Sequence, residues 1–123
     1  MSLGSYLWRR RQAGMRAVVE LGPEDEGRTV EIRRDDIVEI YLPENPTTGY
    51  QWSIDRGDAT VVALEESEFS RVPDARTGRG GWRKMRFRAR TAGTAQLRLT
   101  LSRPWERDRS VVECYEVTLH IEG

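Results

Sequence analysis

Among 123 residues there is one cysteine, Cys114, and one histidine, His120. A lone cysteine excludes an internal disulfide, so packing alone has to hold the fold. One cysteine and one histidine also fall short of a typical zinc site. On a common strand they share a face, but six residues set them about 20 Å apart, too far for a nucleophile and its base. Three stretches stand out for their turn residues, at 45–50, 78–81 and 103–105, and none contains a histidine, a cysteine or a carboxylate. Neither general acid–base nor nucleophilic catalysis finds its groups there, so the chain reads as a non-enzyme with no metal and no cofactor.

Long apolar runs are missing too. No stretch approaches the length of a membrane span, and no basic–apolar–small pattern marks an export signal. The chain is expected to be soluble: periplasmic or extracellular if a signal has been removed, cytoplasmic otherwise. Residues 1–14 read as a frayed tail, in part not native, and residues 15–123 as one domain, monomeric when free.

Net charge is absent as well, since 20 basic and 20 acidic residues cancel. Their distribution is uneven: residues 16–70 hold 5 basic and 14 acidic groups, while residues 71–109 hold 12 basic and 3 acidic. A basic segment of that size raises the question of nucleic acid. In a sandwich, however, the basic strand would lie beside acidic ones and the field would cancel locally, so no nucleic-acid partner is expected. The acidic turn at Gly22–Gly27 lacks the alternating ligand spacing of a calcium loop. Arg56-Gly57-Asp58 spells an adhesion tripeptide that is too short to carry weight.

What is present is alternation. Val30 and Ile32, then Val38, Ile40 and Leu42, then Met85, Phe87 and Ala89 recur at period two. So do Ala95, Leu97, Leu99 and Leu101, and Tyr115, Val117, Leu119 and Ile121. Period two is the mark of half-buried strands. Tyr50, Trp52 and Ile54 share a face, with Trp52 read as core. From Val61 to Val72 the parity is broken by Glu65, Glu66 and Glu68. Strands with turns every eight to twelve residues and no convincing helix give an all-β, immunoglobulin-like sandwich of about seven to eight strands, without a structural disulfide. In such an order the cationic strand Lys84–Arg90 sits between the strands carrying Glu39 and Glu65–Glu68.

The turns are less ordinary than the strands. In Leu42-Pro43-Glu44-Asn45-Pro46-Thr47-Thr48-Gly49-Tyr50-Gln51-Trp52, two prolines fix φ and push the residues before them out of helical geometry. Asn45 is placed for an Asx-turn, and Gly49 is free to take positive φ. A stiff, non-helical tip with two hydroxyls, Thr47 and Thr48, is expected. Gly78-Arg79-Gly80-Gly81 exposes main chain to close approach, and Pro104 holds Arg103 and Trp105 at a strand end.

Asn45-Pro46-Thr47-Thr48-Gly49-Tyr50 with Trp52, then Gly78-Arg79-Gly80-Gly81, then Arg103-Pro104-Trp105 resemble, in order and spacing, the three loop motifs of the chagasin family of inhibitors of papain-like cysteine peptidases. The resemblance spans roughly Met15 to the C-terminus and rests on the conjunction of the three. It implies reversible, competitive, non-covalent inhibition by three loops entering the peptidase cleft. Thr47 and Thr48 would cover the catalytic pair. Gly78–Gly81 would lie along the unprimed side and Arg103 and Trp105 on the primed side. Arg79 and Trp82 are bulky departures from the family pattern and bear on which peptidase is preferred. The rival readings are a carbohydrate-binding module using Trp82 and Trp105, and an adhesive immunoglobulin-like domain; neither has a use for the threonine tip.

Overall fold

Apolar residues at every second position leave a strand one wet face and one dry face, and two such faces must find each other. The structure, a computed structural model, describes residues 6–7, 16–71, 80–106 and 110–123. It contains the strands β1 (Tyr6–Leu7), β2 (Val18–Leu21), β3 (Thr29–Arg33), β4 (Ile37–Glu44), β5 (Gln51–Arg56), β6 (Val62–Arg71), β7 (Gly81–Ala89), β8 (Gly93–Ser102) and β9 (Glu113–Glu122). Eight fall in the stretch assigned to the domain; β1 lies within residues 1–14 and pairs with β3. Single 3-10 turns lie at Pro23–Asp25 and Pro46–Thr48.

The strands form two sheets, ordered β1-β3-β9-β8-β5 and β2-β4-β7-β6. Between them lies one apolar core. Val30, Ile32, Leu97, Leu99, Val117 and Leu119 project from the first sheet, and Val19, Val38, Ile40, Met85 and Phe87 from the second. The expected inward rows are thus buried except at Leu101, which is half-buried, and Trp52 is 2% exposed. Ile54 departs from its row at 39% exposed. It sits on the edge strand β5, where the register against β8 slips between Ile54 and Arg56, so no second strand closes over it. A similar slip between Leu64 and Glu66 accounts for the broken parity of β6.

The cations of β7 find their partners within the second sheet. β7 lies between β4 and β6, antiparallel to both. Arg86 reaches Glu39 at 2.8 Å, Lys84 reaches Glu66 and Glu68 at 3.2 and 3.3 Å, and Arg88 pairs with Glu65. Cross-strand pairs of this kind contribute roughly 0.2–1 kcal/mol each.

In the acidic turn before β3, the Asp25 carboxylate accepts the Gly22 N–H at 2.8 Å and pairs with Arg28 at 3.0 Å. The Tyr115 hydroxyl donates to the Gly22 carbonyl at 2.8 Å, and burial, then the nearby Asp25, push that phenol well above its ordinary pKa. Cys114 and His120 both lie on the exposed side of β9.

Candidate functional site

The three motif segments connect β4 to β5, β6 to β7 and β8 to β9. Register alone brings them to one end of the sandwich: Glu44 is paired with Gly81, and Gln51 with Ser102. The tip therefore leaves the second sheet beside the glycine segment and enters the first sheet beside Arg103.

Within the tip, Asn45 acts as an N-cap. Its side-chain oxygen accepts the Thr47 N–H at 3.1 Å and the Thr47 hydroxyl at 2.7 Å. Its carbonyl accepts the Thr48 N–H at 3.1 Å and the Thr48 hydroxyl at 2.7 Å. The Tyr50 N–H donates to the Thr48 hydroxyl oxygen at 3.3 Å. A stiff tip was expected to lack helical geometry altogether; instead Pro46–Thr48 close one 3-10 turn, because Pro46 stands at its first position, where a missing N–H costs nothing. Gly49 ends the turn at φ 84°, the positive φ anticipated for it. Both threonine hydroxyls donate to Asn45, so their protons are engaged within the loop.

The third segment is latched onto the first. A Cβ at Gly49 would lie 2.8 Å from Cη2 of Trp105, so the indole rests on the bare backbone of the tip. The Arg103 guanidinium stacks over the Tyr50 ring, 4.7 Å from its centroid. The turn holding them is fixed by the Ser110 hydroxyl oxygen, which accepts the Arg103 N–H at 2.8 Å, and by the Glu106 N–H, which donates to the Arg103 carbonyl at 2.9 Å. Trp105 nonetheless remains 70% exposed. A large aromatic, held in place yet turned to water, is a feature of binding surfaces.

Of the glycine segment, Gly80 and Gly81 are described, while Gly78 and Arg79 lie outside the described residues. Gly81 is required by the sheet itself: a Cβ there would run into the Ser70 carbonyl oxygen and the Phe69 ring. A groove of ≈ 480 Å³ separates this segment from the tip, lined among others by Asn45, Thr48, Tyr50, Gly80, Trp82 and Glu113.

Two residues of this end have no place in the sequence reading, Glu44 and Arg83. Glu44 is 5% exposed. Its carboxylate accepts the Trp52 N–H at 2.9 Å, Arg83 Nε at 3.2 Å and Arg83 Nη2 at 2.7 Å. The Trp52 indole N–H donates to the Pro43 carbonyl at 2.9 Å. The signal was parity: Glu44 continues the inward row Val38, Ile40, Leu42, and Arg83 continues the inward row Met85, Phe87, Ala89. Opposite charges on the inward rows of two adjacent strands are a pair waiting to be matched.

Comparison with known proteins identifies the family and the fold. The sequence profile of the "Chagasin family peptidase inhibitor I42" matches residues 31–120, which include all three loops. Chagasin of Trypanosoma cruzi is 34% identical over 85 residues, covering 64% of this chain and 76% of chagasin. The crystal structure of the cysteine protease inhibitor EhICP2 from Entamoeba histolytica superimposes with a TM-score of 0.75 at 24% identity, over 86% of this chain and 96% of that one. PbICP-C, solved in complex with falcipain-2, gives 0.56 at 13% identity, over 97% and 100%. The alternating two-sheet scaffold, the three motifs gathered at one end and the match across residues 31–120 lead to one conclusion: the chain belongs to the chagasin family of cysteine peptidase inhibitors.

Proposed function

We propose that the loop cluster plugs the active-site cleft of a papain-like cysteine peptidase, reversibly, competitively and without a covalent bond. The observation that carries this reading is the latch between the first and third loops, Trp105 on Gly49 and Arg103 on Tyr50. It makes two loops a single convex edge before any partner arrives, so little ordering entropy remains to be lost on binding.

The tip itself supports inhibition without turnover. Cleavage needs a peptide bond laid across the nucleophile in attack geometry. Pro46–Thr48 form a 3-10 turn closed by a left-handed glycine, and that shape keeps each scissile carbonyl out of line. With their hydroxyl protons held by Asn45, Thr47 and Thr48 offer shape, methyl groups and acceptor oxygens over the catalytic cysteine and histidine. Gly78, Arg79, Gly80 and Gly81 would exchange main-chain hydrogen bonds along the unprimed side, and Arg103, Pro104 and Trp105 would pack on the primed side. Three loops of this size can bury about 800 Å² on each partner, ordinary for a protease–inhibitor complex.

Titration of active papain with the purified domain tests the reading. At rising concentration of the domain the apparent KM should rise with kcat unchanged, activity should return on dilution, and mass spectrometry should find the inhibitor intact. A fall in kcat at constant KM, or cleavage between Asn45 and Tyr50, would refute it.

A further inference from the structure

We infer that Glu44 is a positioning residue, whose carboxylate fixes the threonine tip and the start of β7 at Gly81 relative to each other by holding Arg83 and the Trp52 amide at once. This inference rests on the proposed cleft-plugging role of the loops.

Three connections meet at this carboxylate. Its own backbone ends β4 and leads directly into Asn45, the cap of the tip. The Trp52 N–H that it accepts belongs to β5, the strand by which the tip returns. Because β5 is an edge strand with β8 as its partner, an amide turned away from β8 has no ladder acceptor, and Glu44 supplies one. Arg83 stands two residues beyond Gly81, on the strand leaving the glycine segment, and binds both carboxylate oxygens. Arg83 is tied in turn to β6, donating to the Ser67 hydroxyl at 3.4 Å. One side chain thus sets the spacing of the tip's entry, the tip's exit and the second loop's exit.

The energetics favour position over stability. The two side chains are 13% and 2% exposed, and a buried ion pair gains little net stability over an apolar pair of the same volume. Its bidentate fork is directional, however, and discriminates against displaced arrangements of the two strands. An apolar pair would hold the sheets together equally well without fixing the loops.

Glu44→Gln keeps an oxygen for the Trp52 amide but loses the charged fork, and Arg83→Lys keeps the charge but loses the fork geometry. Each should raise the inhibition constant against papain about tenfold, as the loops regain freedom that binding must remove. The double variant should raise it no further, because both changes break the same contact. Val62→Ala, in the core at the other end of β6, serves as a control for plain destabilisation; measured well below its unfolding temperature, it should leave the inhibition constant unchanged. If Glu44→Gln and Val62→Ala weaken inhibition in proportion to their loss of thermal stability, or if the two single effects simply add, the positioning role is wrong. Trp105→Ala separates the two levels: an effect of Trp105→Ala without one of Glu44→Gln overturns this inference alone, whereas no effect of either overturns the cleft-plugging reading with it.

Discussion

Strand β4 is bracketed by two buried carboxylates that do different things. Asp36, just before it, is 1% exposed and accepts the Ala17 and Arg33 amides at 2.9 and 2.8 Å. Glu44, its last residue, is 5% exposed and reaches across to a cation on β7 as well as to an amide. At the Asp36 end the turns carry charged and small side chains such as Arg34, Asp35, Ala92 and Gly93. At the Glu44 end, Trp82 and Trp105 stand 38% and 70% exposed above a backbone that is bonded several times over. Closing a sandwich needs only the first arrangement. The second holds aromatic surface in water, which closing the fold does not require.

The contrast can be broken from either side. Asp36→Ala would leave one buried and one part-buried amide without this acceptor and should cost about 2 kcal/mol of stability. Thermal denaturation should show the loss while the inhibition constant for papain, measured on the folded fraction, stays put; a weakened inhibitor would mean that the two ends are not separable. Trp105→Ala should do the reverse, losing about 2 kcal/mol of binding, roughly thirtyfold, with the melting temperature unmoved. Unchanged inhibition would remove Trp105 from the interface.

Gly49→Ala sharpens the comparison within the near end. At φ 84° an L-residue pays about 1–2 kcal/mol, and the new methyl group would displace the Trp105 indole. Inhibition should weaken about fivefold by this route, and Trp105→Ala on top of it should add less than it does alone. Full additivity would show that the latch does not exist in solution.

The smallest effects belong to the charged face of the second sheet. The hydrogen bond from Arg88 holds Glu65 below its ordinary pKa, so its stabilising contribution is present above ~4.3 and is lost as pH falls through the lower folded value. Hydrogen bonds to Glu66 and Glu68 hold Lys84 above its ordinary pKa, so that contribution is present below ~10.4 and is lost as pH rises through the higher folded value. Both groups are solvent-accessible, so shallow declines of melting temperature are expected at the two extremes, flattened by salt. A melting temperature that rose with acid would reverse the sign.

Most of the scaffold was legible because period two is a local property. The rows on β4, β7, β8 and β9 could be read without knowing any partner strand, and the placement of β7 between two acidic strands followed from the order of an immunoglobulin-like sandwich. Ile54 and the middle of β6 were not, since a register slip and an edge position arise only when strands are laid side by side. The loop residues were recognisable as turn chemistry, but their meeting at one end depends on the pairs Glu44 with Gly81 and Gln51 with Ser102. The Glu44–Arg83 pair was hidden for a different reason: charged residues are read as outward by habit, although here parity points inward.

The most direct measurement is protection of the papain thiol. One equivalent of the domain is added to active papain and the rate of iodoacetamide alkylation at the catalytic cysteine is followed by mass spectrometry. If the threonine tip lies over that cysteine, alkylation should stop in the complex and resume when the domain is diluted away. Alkylation at the unprotected rate, in a complex shown by gel filtration to be intact, would place the loops elsewhere on the enzyme and contradict the wedge.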